Sequence, residues 1–324
     1  MTDRFGRKIE YLRVSITDRC NLRCIYCMPS MPDGFCPVSN DDVLRYEEIE
    51  RVVRCMVPLG IRHVRVTGGE PLARKGAAGF AGRLRKIPGI ETVTMTTNGV
   101  LLSEYARELA EAGIDGVNIS LDTTDEALSE RITNRPGTVK AVKEAIRRMR
   151  EYGVPVKINA VLLKETRPSI CGLLEFAKDG IPVRFIELMP IGYGKELEGA
   201  TPEEARAVIR ESYPDFAESG VRLGAGPARY YSSSRLAAPV GFIEAVSHSF
   251  CSSCNRVRLT STGLLKSCLC FDQGTDLSGM IRGSASDDDI KEAVRNCIYL
   301  KPAKHCFDSK EDITETKLMS QIGG

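Results

Sequence analysis

Six times in its first two-thirds the chain passes from a short, β-branched, mostly apolar run to an amphipathic stretch of helical period. The runs are Leu12–Thr17, His63–Thr67, Thr92–Thr97, Gly116–Leu121, Val156–Leu162 and Val183–Met189. Their composition predicts strands buried on both faces. In the stretch Asp42–Leu59, Ile49, Val52, Val53, Met56 and Val57 recur at helical spacing, and Gly60 follows as a natural C-cap. Ser103–Ala112 before Gly113, and Thr138–Tyr152 before Gly153, repeat the pattern. Strand–helix units in succession dictate a parallel sheet with right-handed crossovers, which curls toward a barrel. Six units rather than eight predict an α/β fold built as an incomplete (β/α)6 TIM-like barrel, open on one side for a large substrate.

Beyond about Tyr230 the pattern changes. Short strand-like pieces, Gly241–Val246, Arg256–Thr260 and Leu264–Ser267, surround a group of cysteines, and a helix is expected over Asp287–Tyr299. This divides the chain into a barrel domain over residues 1–235 and a small C-terminal domain over 236–324. A net charge of +2 without long single-sign runs gives no support to a nucleic-acid or membrane-surface role. With no apolar run near 18 residues and no signal-like start, the chain is expected in the cytoplasm.

There the twelve cysteines are expected to stay reduced. Cys36, Cys55, Cys171, Cys297 and Cys306 are scattered and read as ordinary thiols, whereas two groups are clustered. The first, Cys20-Asn-Leu-Arg-Cys24-Ile-Tyr-Cys27, directly follows the first strand. Three thiolates can hold three corners of a four-iron cluster and leave the fourth iron open to chelate a small molecule. A zinc knot is the alternative, although it would use paired spacings and the chain has only three histidines. The second group, Cys251-Ser-Ser-Cys254 with Cys268, admits the same reading, with Cys270 as a rival third ligand or as a fourth ligand to zinc.

Cys-x-x-x-Cys-x-x-Cys resembles the signature of the radical SAM superfamily, enzymes that cleave S-adenosylmethionine (SAM). The strand ending Thr67-Gly68-Gly69-Glu70-Pro71 resembles the superfamily's motif for the SAM amine, with the two glycines letting backbone approach a ligand. The resemblance implies Gly69, Ser120 and Met189 as SAM contacts, the last two at strand ends, and Tyr26 beside the adenine. Further landmarks are Arg65-Val-Thr-Gly-Gly-Glu70, Thr96-Thr-Asn-Gly99, Arg184-Phe-Ile-Glu-Leu-Met189, Phe250-Cys-Ser-Ser-Cys-Asn-Arg-Val-Arg258 and the terminal Gly323-Gly324. Together they resemble the GTP 3′,8-cyclase family of molybdenum cofactor biosynthesis along nearly the whole chain.

That resemblance implies two 4Fe–4S clusters, SAM as cofactor, GTP as substrate, an external electron donor, a homodimer, and hand-over to the next enzyme of the pathway. A SAM-derived radical would take hydrogen from C3′ of GTP, and C3′ would then close onto C8. The spacing with Cys268 is the family's. Arg13, Arg65, Thr96, Lys157, Arg256 and Arg258 are assigned to GTP, whose triphosphate needs placed cations because the chain has no P-loop. Internal ion pairs with Asp122 or Glu187 are the competing account of Arg13, Arg65 and Lys157, which sit in apolar runs. The two terminal glycines would reach into the active site and help activate it. Leu163-Lys-Glu-Thr-Arg and Gln321 depart from the family pattern. The rival functions are another two-cluster radical SAM enzyme, such as a peptide-modifying one, and a zinc-binding or electron-transfer module.

Overall fold

Apolar residues at helical spacing do set the faces that cover the sheet. In helix Tyr46–Met56, Ile49, Val52, Val53 and Met56 are all fully buried, each contributing about 1.5–3 kcal/mol relative to exposure. Gly60, Gly113 and Gly153 end their helices at positive φ (+106°, +69° and +71°), where a side chain would be strained. The computed structural model describes residues 1–29 and 38–323, so Cys36 and Gly324 lie outside the described residues.

The six expected strands form as β1 Tyr11–Ser15, β2 His63–Thr67, β3 Thr92–Thr97, β4 Gly116–Ser120, β5 Val156–Leu162 and β6 Val183–Glu187. Then come β7 Ala217–Glu218, β8 Arg229–Ser232, β9 Val240–Ile243, β10 Arg256–Leu259, β11 Leu264–Lys266 and β12 Thr275–Asp276. All twelve belong to one sheet, in the order β12-β11-β10-β1-β2-β3-β4-β5-β6-β9-β8-β7. The run from β10 to β9 is parallel throughout, and an antiparallel hairpin extends each edge. The barrel stays open, as six units foretell. The C-terminal segment adds a strand to each side of the six-stranded core, and the sheet runs without a break across residue 235.

One expectation holds only for some strands. β4 is buried at four consecutive positions, whereas β3 and β5 alternate strictly between buried and half-buried positions. The half-buried residues Thr94 and Thr96 on β3 and Lys157 and Asn159 on β5 line a polar lumen, whereas Val161 packs against the apolar cluster of Leu128, Ile132 and Leu163.

Candidate active site between two cysteine sets

Register stacks the lumen in layers. Arg13 on β1 lies opposite Arg258 on β10 and Arg65 on β2. Two residues toward the strands' N-terminal ends, Tyr11 lies between Arg256 and His63. Across the lumen Asn118 faces Thr96 and Lys157, and Asn159 faces Arg184. Cys251 and Cys254 enter β10 at its N-terminal end, and antiparallel β11 delivers Cys268 to the same end. Cys20, Cys24 and Cys27 follow β1 at the opposite end. The two sets therefore bound the lumen at its two ends, separated by at least the five residues from Tyr11 to Ser15, four steps and about 13 Å of strand.

At the first set, burial raises the Cys24 thiol well above its ordinary value, with the charge of Cys27 adding to it. Burial, then Cys20, pushes Cys27 up to about 12. Three mutually repelling thiols in a dry loop need a cationic partner to ionise. Among the described residues no three His, Cys, Asp or Glu side chains close on a single ion. The donor set is three thiols with no histidine in the loop, which suits iron–sulfur ligation. Leu22 N–H donates to Cys20 Sγ at 3.4 Å, and the Asn98 amide approaches it at 3.8 Å.

Glu70 is fully buried. It accepts from Thr97 Oγ1 at 2.7 Å, Asn98 N at 2.8 Å and Leu72 N at 3.0 Å. Asn98 in turn donates to Asn21 Oδ1 at 2.7 Å, so the carboxylate buttresses the cysteine loop from beneath. A Cβ on Gly69 would stand 2.4 Å from Arg19 O, and one on Gly68 would stand 2.8 Å from Thr17 O. The pair has no room for side chains because this turn runs against residues 17–19. Tyr26 donates to Asp122 Oδ2 at 2.8 Å, and a small cavity is lined by Cys24, Tyr26, Asn98 and Ser120. Met189 lies two residues beyond the end of β6, in the apolar cluster that includes Ile191, Cys270 and Ile322.

Ion pairing does not explain the lumen cations. Asp122 is occupied by Tyr26 and by Val161 N–H, and Glu187 by the N–H groups of Val246 and Ser247. Among the described residues Arg65, Lys157, Arg184, Arg256 and Arg258 have no carboxylate partner. Lys157 donates to Leu223 O at 3.1 Å, Arg184 to Asn118 Oδ1, and Arg258 to Gly323 O at 2.7 Å. Burial, then Arg184 and Arg65, bring Lys157 down to about 8. Thr96 Oγ1, Asn159 Oδ1, Arg65 Nε and Arg256 Nε are buried without a hydrogen-bond partner among the described residues. Such a concentration of positive charge and unmet polar atoms fits a polyanion. Arg184 and Asn159 are not among the residues the sequence assigns to GTP, though Asn159 shares the face of Lys157 by alternation along β5.

The tail enters the same space. Gly323 has φ +90°, and a Cβ there would meet Ser15 and Thr67 at 2.8 Å. Helix Met319–Ile322 is capped by Gln321, whose Oε1 accepts from Leu318 N at 2.9 Å, which gives that departure a local role. Ser320 Oγ donates to Met28 Sδ, next to Cys27, at 3.8 Å. At the second set, the charges of Cys254 and Cys251 act on Cys268, whereas fully buried Cys270 accepts from Cys306 N at 3.2 Å.

The model of the radical SAM superfamily matches residues 14–177, and that of Molybdenum Cofactor Synthesis C matches residues 181–307. GTP 3′,8-cyclases of Clostridium perfringens (strain SM101 / Type A) and Petrotoga mobilis are 42% identical over 326 residues and 43% over 331, covering all of this chain and of each relative. The chain belongs to the GTP 3′,8-cyclase family. It is a radical SAM enzyme with 4Fe–4S clusters and SAM as cofactors. Among solved structures, Streptococcus suis SuiB bound to S-adenosylmethionine shares the fold with TM-score 0.61 at 18% identity, over 89% of this chain and 68% of that one. No described helix is long and apolar enough to cross a membrane.

Proposed function

We propose that the chain converts GTP to (8S)-3′,8-cyclo-7,8-dihydroguanosine 5′-triphosphate in the cytoplasm, the first step of molybdenum cofactor biosynthesis. What carries this reading is a polar lumen bounded by three cysteines at each end, with five carboxylate-free cations between them. Cys20, Cys24 and Cys27 hold the cluster that, with SAM bound, supplies the 5′-deoxyadenosyl radical. Cys251, Cys254 and Cys268 hold the second, at the guanine end. Tyr26, Gly69, Ser120 and Met189 form the SAM site.

Arg65, Lys157, Arg256 and Arg258, with Arg13 and Thr96, take the triphosphate, and Arg184 and Asn159 join them. A nucleotide held at its phosphates and its base has little freedom left at the ribose, which keeps C3′ and C8 near one another. The strands and helices that wall the lumen exclude water from the reacting carbons. Gly323 fixes Arg258 through its carbonyl, and Gly324 completes the activating tail. The reading also takes an external electron donor, a homodimer, and delivery of product to the pathway's next enzyme. The chain is kept as a radical SAM partial barrel over residues 1–235, which also supplies Arg13, Arg65, Thr96 and Lys157, and a C-terminal domain over 236–324 with the second cluster, Arg256, Arg258 and the Gly-Gly tail.

Anaerobic equilibrium binding of GTP tests the phosphate assignment. Arg256→Ala and Arg258→Ala should each weaken GTP by tenfold or more, since a hydrogen bond to a charged group is worth about 1.5–3 kcal/mol. Unchanged affinity in both would overturn it.

A further inference from the structure

Two lysines are buried in the C-terminal segment, in opposite company. Lys266, 0% exposed, is paired with Glu315, itself 1% exposed. Lys301 is 3% exposed and stands just past helix Asp287–Tyr299. It donates to Arg256 O at 3.0 Å and to Ser267 O, and among the described residues it has no carboxylate partner. Two carbonyls satisfy its hydrogen bonding but not its charge, and an uncompensated buried cation is costly.

The two acceptors say where the missing negative charge belongs. Ser267 immediately precedes Cys268, and Arg256 lies two residues after Cys254, so the ammonium sits beside both thiols.

We propose that Lys301 is a positioning residue whose ammonium is the built-in counter-charge of the cluster held by Cys251, Cys254 and Cys268, and that it raises that cluster's reduction potential. The proposal rests on the assignment of those three cysteines. A four-iron cluster on three thiolates is net negative, more so when reduced, and a fixed cation beside it in a dry site favours the reduced form. In apoprotein the same ammonium keeps its two carbonyl partners but has no anion to face, so the cost of its buried charge offsets what those hydrogen bonds contribute to the empty fold.

The test uses the full chain carrying Cys20→Ala, Cys24→Ala and Cys27→Ala, reconstituted anaerobically, so that the second cluster is observed alone. Iron and a paramagnetic signal on reduction establish the cluster assignment; their absence sinks that assignment and the proposal with it. Given the signal, Lys301→Gln should lower the equilibrium constant for reduction about tenfold, about 59 mV for one electron. Lys301→Arg should keep it within threefold of the parent. Thermal unfolding of apoprotein is the second readout, with Lys301→Gln expected to melt no lower than its parent. An unchanged potential in Lys301→Gln would overturn the proposal. So would a Lys301→Gln apoprotein that melts lower or does not fold, because the lysine would then be a bracket between β10 and Ser267 whatever the cluster does.

Discussion

Glu70 stands in the motif that the sequence assigns to SAM, yet its carboxylate is spent on the protein itself, under the cysteine loop. Burial raises it to about 7 against three hydrogen bonds that pull the other way. A carboxyl whose folded value lies above its unfolded one costs no stability below about pH 4.5. The cost grows as pH rises to about 7 and is constant beyond, about 3 kcal/mol in all. Melting temperature of the wild-type apoprotein should therefore fall between pH 5 and 7, and Glu70→Gln should flatten that slope. An equal slope in both proteins would remove Glu70 as its source. The variant should also lose first-cluster iron, since its amide N–H₂ meets a donor. Lys157 gives the complementary case: its folded value near 8 lies below the free lysine value, so the free enzyme loses this charge as pH rises through 8. GTP affinity should decline above pH 8, and Lys157→Arg should move the decline upward. A pH-independent affinity would place Lys157 outside the phosphate site.

At the scale of elements, the tail helix Met319–Ile322 joins what the rest of the chain keeps apart: Ser320 bonds Met28 beside the first cysteine set, and Gly323 holds Arg258. Deleting Gly323 and Gly324 should abolish cyclisation while leaving iron content intact. Gly323→Ala should do the same, because a Cβ has no room between Ser15 and Thr67; full activity in that variant would sink the tail's role. The six strands and the main helices were legible in advance because each carries its own apolar period and a glycine stop. Of the edge strands β11 was foreseen as Leu264–Ser267, but β7 and β12 were not, since they are two residues long and owe their existence to the strands they join. The polar lumen was misjudged for a related reason. Thr92, Thr94, Thr96, Lys157 and Asn159 mark one face by period two, but β-branched residues on both sides hide the alternation until the sheet curls.

For the whole molecule, what the sequence could not supply is which end of the barrel receives the second cysteine set. That follows from β10 pairing parallel to β1, a contact across about 245 residues, which no local signal encodes. The same pairing aligns Arg258 with Arg13 and Arg65 between the two sets. Glycine-rich Thr67-Gly68-Gly69-Glu70 could be found from its letters, but not that its glycines serve the close passage of residues 17–19. The central claim is that this lumen carries one substrate from phosphate grip to ring closure. Anaerobic enzyme reconstituted with iron and sulfide, given SAM, GTP and a strong reductant, tests it most directly. The account predicts 5′-deoxyadenosine together with a 3′,8-cyclised GTP product, and about eight irons per chain. Deoxyadenosine with GTP left unchanged would contradict it.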